Sequence, residues 1–314
     1  MARRKKKKLK GAFKLLFVLI GAFVLLNYLH TYEVTENKKL LEKKKKDQNY
    51  EQCLVDREIP EEIVNNLSAL EISLNEYMAK YNVGFKYEEL NYDYSLSYDS
   101  DKVFYGASLI KLVDAIYLLD NDIDLSLTKK YESSYKRAFS SKMDKRTIGE
   151  NVSLKDLMEY AISVSDNTAH LMLIDYIGFD KLQNYGKSLG GKVILQGGDK
   201  FGNQTADDTM IYLNKAYELI NNHKNGELLK NAMLNTEDNH LNFDNIVFGH
   251  KYGSYATYYH DIGIFFANDP YLISVLSTHD SNRSIVTNIS KKVYEIHNKI
   301  IEEKEIYCYN LAYN

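Results

Sequence analysis

The sequence predicts an α/β (α+β) protein in which an antiparallel sheet is flanked by terminal helices and an all-helical subdomain is inserted between the first and last strands. Three observations carry this. Runs with strand character occur early, at 83–87 and 94–98, and late, at 246–253, 261–267 and 271–278. Helical spacing fills the interval between them and also brackets them, at 60–74 and 284–301. The low counts of Pro 2 and Gly 16 suit a helix-rich chain with few rigid turns.

Pro60-Glu61-Glu62 opens the first helix of the body. Proline's fixed φ suits a first turn, the two acids suit the positive end of the helix dipole, and Ile63, Leu67, Leu70 and Leu74 fall at helical spacing. Val83 to Tyr87 and Tyr94 to Tyr98 read as strands around a turn at Asn91-Tyr92-Asp93. The apolar run Leu112 to Leu119 is a helix, which Ala107 is expected to open, and Asp120 to Ser126 connects onward. Ser153 caps a helix with Leu157, Ala161 and Val164 on its apolar side, ending at Ser165-Asp166-Asn167. Thr168 to Ile177 is apolar throughout and reads as a buried helix. Gly190 to Gly202 is loop-like; Ala206 to Ile220 and Glu227 to Leu234 are helical. The period then changes. Ile246 to Gly253, Asp261 to Ala267 and Tyr271 to Thr278 read as strands, with Asp269-Pro270 turning the last pair, and Ser284 to Ile301 closes the body as a helix.

Charge divides the chain. Residues 1–31 contain eight basic side chains and no acidic one, which leaves 32 Lys and Arg against 43 Asp and Glu in the rest. An acidic body argues against nucleic-acid binding, which needs a basic face. Arg3 to Lys10 is a dense positive block, and Leu15 to Leu29 is apolar apart from Gly21, Asn27 and Tyr28. With Lys14 snorkelling, this reaches the lower edge of a membrane-spanning length. The positive block is expected to stay cytoplasmic, so that the body faces outward in a single-pass cell-membrane protein. The chain after Leu29 reads His30-Thr31-Tyr32-Glu33, without a small-x-small cleavage site, so an uncleaved anchor is expected rather than a signal peptide. The expected domains are a basic tail, 1–10; an anchor, 11–31; a charged stalk, 32–58; and a catalytic domain, 59–314, with a sheet part at 59–105 and 245–314 and a helical part at 106–244. Cys53 and Cys308 lie at the two ends of the body; a disulfide and two separate thiols are both open. The eight histidines form no His-x-x-x-His pair, so no metal or cofactor is expected.

Ser108-Leu109-Ile110-Lys111 places a hydroxyl one helical turn from an amine, after a strand and at the head of an apolar helix. A buried lysine beside another cation loses its proton readily, and a serine beside a base is the minimum unit for covalent acyl transfer. The spacing alone is weak: Ser126-Leu127-Thr128-Lys129 and Ser133-Ser134-Tyr135-Lys136 repeat it in polar surroundings. Ser165-Asp166-Asn167 and Lys251-Tyr252-Gly253 come later, in that order. Together the three resemble the S-x-x-K, S-D-N and K-T-G signature of class A β-lactamases and penicillin-binding proteins. The resemblance extends from about Pro60 to Ile301. It implies a β-lactamase/transpeptidase-like fold and a serine hydrolase forming an acyl-serine with β-lactams or D-Ala-D-Ala-type peptides.

The resemblance also implies roles. Ser108 attacks the carbonyl, Lys111 takes its proton, Ser165 passes a proton to the leaving nitrogen, and Asn167 binds the substrate amide. Lys251 supplies positive potential for a carboxylate, Asp166 holds the loop, and the backbone N–H groups of Ser108 and Ser254 form the oxyanion hole, with Gly253 beside them. Two features depart from the family pattern. Tyr252 stands where a short hydroxyl residue is usual, which bears on substrate binding. No glutamate occurs between Glu159 and Glu218, where class A enzymes keep the one that activates the deacylating water. Asp199 is the one carboxylate in Lys187 to Gln204 and reads as a loop-surface residue. Slow β-lactam hydrolysis is therefore expected. The rivals are a non-hydrolytic penicillin-binding or sensor module, a D,D-carboxypeptidase acting on peptidoglycan, and a silent scaffold; the short basic tail speaks against a transmembrane sensor. The expected partners are a small-molecule β-lactam or a peptidoglycan stem peptide, and the membrane, with the body a monomer.

Overall fold

The structure, a computed structural model, describes residues 2–192, 200–243, 246–267 and 269–313. It separates into two units: Met1–Asp56 with Lys304–Asn314, and Arg57–Glu303.

The first unit is built on one continuous helix, α1 (Ala2–Val55). No proline interrupts it, and its apolar side chains from Leu16 to Leu29 are exposed. From Leu16 this helix is long and apolar enough to cross a membrane. The stalk expected from its charge content is the continuation of the same helix. Within this unit Cys53 and Cys308 form a disulfide, with Cα atoms 5.5 Å apart. Lys46 Nζ donates to the Tyr313 carbonyl at 3.0 Å beside it.

The second unit begins with α2 (Glu61–Met78), with Pro60 as its N-cap. Then come β1 (Val83–Glu89), β2 (Ser95–Tyr98) and the short β3 (Phe104–Tyr105). A 3₁₀ turn at Ala107–Leu109 leads into α3 (Ile110–Asp120). The helical part contains β4 (Thr128–Lys130), β5 (Asn151–Ser153), α4 (Leu154–Ser163), α5 (Asn167–Ile177), α6 (Phe179–Ser188), β6 (Asn203–Gln204), α7 (Ala206–Asn222) and α8 (Gly226–Leu234). The chain closes with β7 (Phe248–Tyr255), β8 (Tyr258–Phe265), β9 (Tyr271–Ser277) and α9 (Ser284–Tyr313).

The main antiparallel sheet has the order β2-β1-β9-β8-β7, so the last three strands meander outward from β1 and leave β7 at an edge. Both faces are covered, so β8 and β9 are buried along almost their whole length. Along β9 the side chains alternate. Tyr271 stacks near His297 of α9 on one face, while Leu272 and Leu276 join the core beneath α3, α4, α5, α7 and α8 on the other. That core also takes Leu112, Val113, Ile116 and Leu119 of α3, whose apolar faces leave little room for a polar side chain. Ser153 caps α4 by accepting from Asp156 N at 3.0 Å, as its position suggests.

The sheet-and-insert architecture is the expected one; the differences are local. The β3–β6 and β4–β5 pairs, two and three residues per strand, are too short to leave a period in the sequence. Helix α6 carries a strongly amphipathic pattern with only Leu182 as a large buried anchor and lies in a stretch given no assignment. Strand β8 starts at Tyr258 rather than Asp261, because its pairing with β7 continues to the turn. Helix α9 runs twelve residues past Ile301, in a segment with no proline or glycine to stop it.

Candidate active site

A cavity of about 640 Å³ opens in the second unit, and Ser108, Ser165, Asn167, Tyr252 and Ser254 line it. Three elements bring these together. The 3₁₀ turn holds Ser108 half-buried at the head of α3, and Lys111 lies one turn on, fully buried. The α4–α5 junction supplies Ser165 and Asn167. Edge strand β7 supplies Lys251 and Tyr252.

Asp166 makes the junction. It caps α5 by accepting from Ala169 N, and its other oxygen accepts from Lys142 N and Met143 N at 3.1 and 2.9 Å. With the cap taken by Asp166, the Ser165 hydroxyl is free to point at the lysines. Ser165 has φ +53° and Ala107 has φ +46°, left-handed conformations that a non-glycine residue adopts at a cost of roughly 1–2 kcal/mol. Ala107 directly precedes Ser108, and Ser165 carries the hydroxyl that meets both lysines. Gly253 explains how β7 comes so near: a Cβ there would sit 2.7 Å from Gly106 O and 3.3 Å from Ser108 N. Only a residue without a side chain lets the strand lie against the serine turn.

Lys111 Nζ lies 2.9 Å from Ser108 Oγ, 2.5 Å from the Ser165 carbonyl, 2.7 Å from Asn167 Oδ1 and 3.2 Å from Ser165 Oγ. The carbonyl and the amide oxygen are obligate acceptors. A neutral amine satisfies both with its two protons and turns its lone pair to the serine hydroxyl. Burial drives that state: it pulls Lys111 down to about 7, against the opposing charges of Asp166 and Asp114. Lys251 Nζ donates to Ser165 Oγ at 3.0 Å and to Tyr252 O at 2.9 Å. Its burial, and then the neighbouring Lys111, push it well below the ordinary lysine range. Ser165 Oγ thus bridges the two amines. Asn167 Nδ2 donates to Ala138 O at 3.0 Å, fixing the amide's orientation.

The Tyr252 ring is a wall of the cavity. It stacks on Tyr259 with centroids 6.4 Å apart and lies 4.3 Å from Lys251 Nζ. Burial, with Asp238 and Glu237 nearby, pushes its hydroxyl up. Ser254 Oγ donates to Asp280 Oδ1 at 3.1 Å, and Arg283 bonds the same carboxylate at 2.8 Å and Asp238 as well. Asp199 lies outside the described residues.

Several lining residues have no motif to announce them. Asp238, Arg137 and Phe139 sit in segments without regular period. Phe201 belongs to a loop where composition says only that the chain turns. Tyr105, by contrast, directly precedes the serine turn, and Asp114 and His170 fall one helical turn after Lys111 and Asn167; that spacing was a usable signal.

The chain matches the model of the family described as "Beta-lactamase enzyme family" over residues 65–297. No curated protein sequence matches it. Among solved structures, it is similar to the extended-spectrum beta-lactamase TLA-3 at 23% identity, covering 73% of this chain and 98% of that one with a TM-score of 0.64. A beta-lactamase from Sphaerobacter thermophilus is 20% identical, over 74% and 97% of the two chains, with a TM-score of 0.63. A variant of PBP-A, solved as its acyl-enzyme complex with penicillin G, is 18% identical over 74% and 97%, with a TM-score of 0.67. At these identities the neighbours speak for the fold, and the match over 65–297 speaks for the family: the chain belongs to the beta-lactamase enzyme family and is a serine hydrolase of that type.

Proposed function

We propose that this protein acylates Ser108 with a β-lactam or a D-Ala-D-Ala-type peptide and releases the acyl group slowly. The observation that carries the reading is the Lys111 amine, dry and 2.9 Å from the Ser108 hydroxyl. Lys111 takes the hydroxyl proton as Oγ attacks the carbonyl carbon, and the oxyanion is held by the N–H groups of Ser108 and Ser254. Ser165 hands its own proton to the leaving nitrogen as the C–N bond breaks and is reprotonated from the lysine side, leaving an acyl-serine and neutral amine product. Asn167 binds the substrate amide, and Lys251, with Tyr252 and Gly253 in the strand, positions the substrate carboxylate.

Release needs a second base for water. The stretch between Glu159 and Glu218 holds no glutamate, and among the described residues Phe201 lies 5.8 Å from Lys111 Nζ where a carboxylate would serve. An acyl-enzyme that persists is the behaviour of a penicillin-binding protein, and PBP-A, a fold neighbour, has a variant captured in that state with penicillin G. The α1 helix would anchor the protein in the cell membrane with residues 1–10 inside and the catalytic domain, 59–314, outside, where peptidoglycan stem peptides are at hand.

The test is incubation with a chromogenic cephalosporin, following colour and intact mass together. One equivalent of colour with a stable adduct supports the reading. Sustained colour release identifies a fast β-lactamase, and no adduct with any β-lactam removes the proposal.

A further inference from the structure

Beneath the serine, α3 and α5 form two rungs. Lys111 and Asp114 lie one turn apart on α3, Asn167 and His170 one turn apart on α5. The first rung joins Lys111 to Asn167 at 2.7 Å; the second joins Asp114 Oδ2 to His170 Nδ1 at 2.5 Å. Asp114 and His170 are fully buried, and the acyl-transfer steps use neither. His170 Nε2 lies 3.0 Å from the Lys200 carbonyl. A carbonyl only accepts, so Nε2 carries a hydrogen. Nδ1 and the carboxyl oxygen then face each other, and two lone pairs at that separation require a proton between them. Burial pushes the Asp114 carboxyl up, and Asp114 Oδ1 has no partner among the described residues; both suit a pair that shares one proton and carries no net charge.

Lys200 leads directly to Phe201. The Phe201 ring packs on His170, centroids 5.1 Å apart, and covers the Lys111 amine. One residue further, Gly202 O accepts from Gly106 N at 3.0 Å, so the segment is fastened on both sides of the ring.

We propose that His170, its tautomer fixed by Asp114, is a positioning residue for Lys111: by holding the Lys200 carbonyl it keeps the Phe201 ring over the amine and water away from it. Asp114 acts in the way a carboxylate orients a ligand or catalytic imidazole, one step behind the reacting group. The charged and titratable groups facing Lys111 are Asp114 on its own helix, Asp166 and His170 from α5 and its cap, and Lys251 and Tyr252 from β7. The pair's neutrality matters among them, because a bare carboxylate below Lys111 would hold the ammonium form. What this means for catalysis rests on Lys111 acting as the base; the placement itself does not.

The experiment titrates Lys111 in the full chain in detergent micelles, using lysine labelled with carbon-13 at Cε and assigning the signal by its loss in Lys111→Met. It compares His170→Gln, whose amide nitrogen reaches the Nε2 position and can donate to Lys200 O, with His170→Asn, which reaches only Asp114. The wild type and His170→Gln should titrate near about 7. His170→Asn should move upward by about one pH unit or more as water enters. Three coincident titrations, or a shift in His170→Gln as large as in His170→Asn, overturn the proposal. If the His170 variants do not fold, Phe201→Ala, which leaves the buried pair intact, gives the same reading: Lys111 rises if the ring keeps water off, and an unmoved Lys111 overturns the idea. A wild-type Lys111 that titrates near about 7 while no β-lactam labels Ser108 sinks the acylation reading and leaves this one standing.

Discussion

At the scale of single residues, the proposed chemistry turns on one amine kept out of water. Lys111 has its ordinary value, 10.5, in the unfolded chain and about 7 in the fold. Below about 7 it holds a proton and cannot take another from Ser108, so the acylation rate should fall about tenfold per pH unit as the solution is made more acid. Stopped-flow acylation across pH 5 to 9 checks this. The same shift acts on stability: between the two values the unfolded chain binds the proton and the folded one does not, so this site favours folding increasingly as pH rises through that window. Lys111→Met should lower acylation by about 10²–10⁴-fold while leaving the fold intact, since an apolar chain of similar reach fills the same dry space. Tyr252 offers a test of binding rather than chemistry. Its ring stands in the cavity beside Lys251, so Tyr252→Thr should raise the second-order acylation rate with penicillin G several-fold, as more room and a short hydroxyl become available. An unchanged rate would mean that the ring does not limit access.

At the scale of elements, the site is where a turn, a helix junction and an edge strand converge, and each convergence has a weak point. Gly253→Ala would drive a methyl group to within 2.7 Å of Gly106 O. Strand and serine turn must part, so acylation should drop by at least about tenfold with a loss of about 1–3 kcal/mol in unfolding free energy, measured by denaturant titration. The segment at 200–202 puts the Phe201 ring, not a carboxylate, beside the Lys111 amine. Placing a carboxylate there, as Phe201→Glu, should shorten that lifetime if the missing base is what makes release slow; pulse-chase mass spectrometry reads it.

This is also the scale at which the sequence was most and least informative. Helices α3, α4 and α7 were legible because their apolar residues recur at helical spacing, with Ser153 capping α4 from the side chain, and α5 because it is apolar throughout. The three polar motifs were legible because reactive side chains interrupt otherwise buried runs. The walls of the cavity were not. Phe139, Phe201 and Asp238 approach Ser108 only through loops and long-range pairing, and nothing in their local spacing refers to it. The two-residue strand pairs hold β3 against β6 by contacts about a hundred positions apart, beyond the reach of any local pattern.

At the scale of the whole molecule, the chain divides into a body that carries the chemistry and a unit built on α1. Cys53 and Cys308 tie residues 255 positions apart within that α1 unit. Closing so long a loop restricts the unfolded chain, by about 5–6 kcal/mol on the chain-entropy account. A Cys53→Ser, Cys308→Ser double variant should therefore show faster proteolysis after Glu303 than the wild type, with acylation of Ser108 unchanged. Equal digestion would mean that the disulfide adds nothing to that segment. Its presence also accords with a body outside the cytoplasm, where disulfides persist.

The most direct measurement is peptide mapping of the full chain after incubation with penicillin G. A penicilloyl group on the peptide bearing Ser108, persisting for many minutes, absent in Ser108→Ala and sharply reduced in Lys111→Met, is the expected result. Label on another side chain, or equal label in Lys111→Met, would contradict the claim that this buried amine activates that hydroxyl.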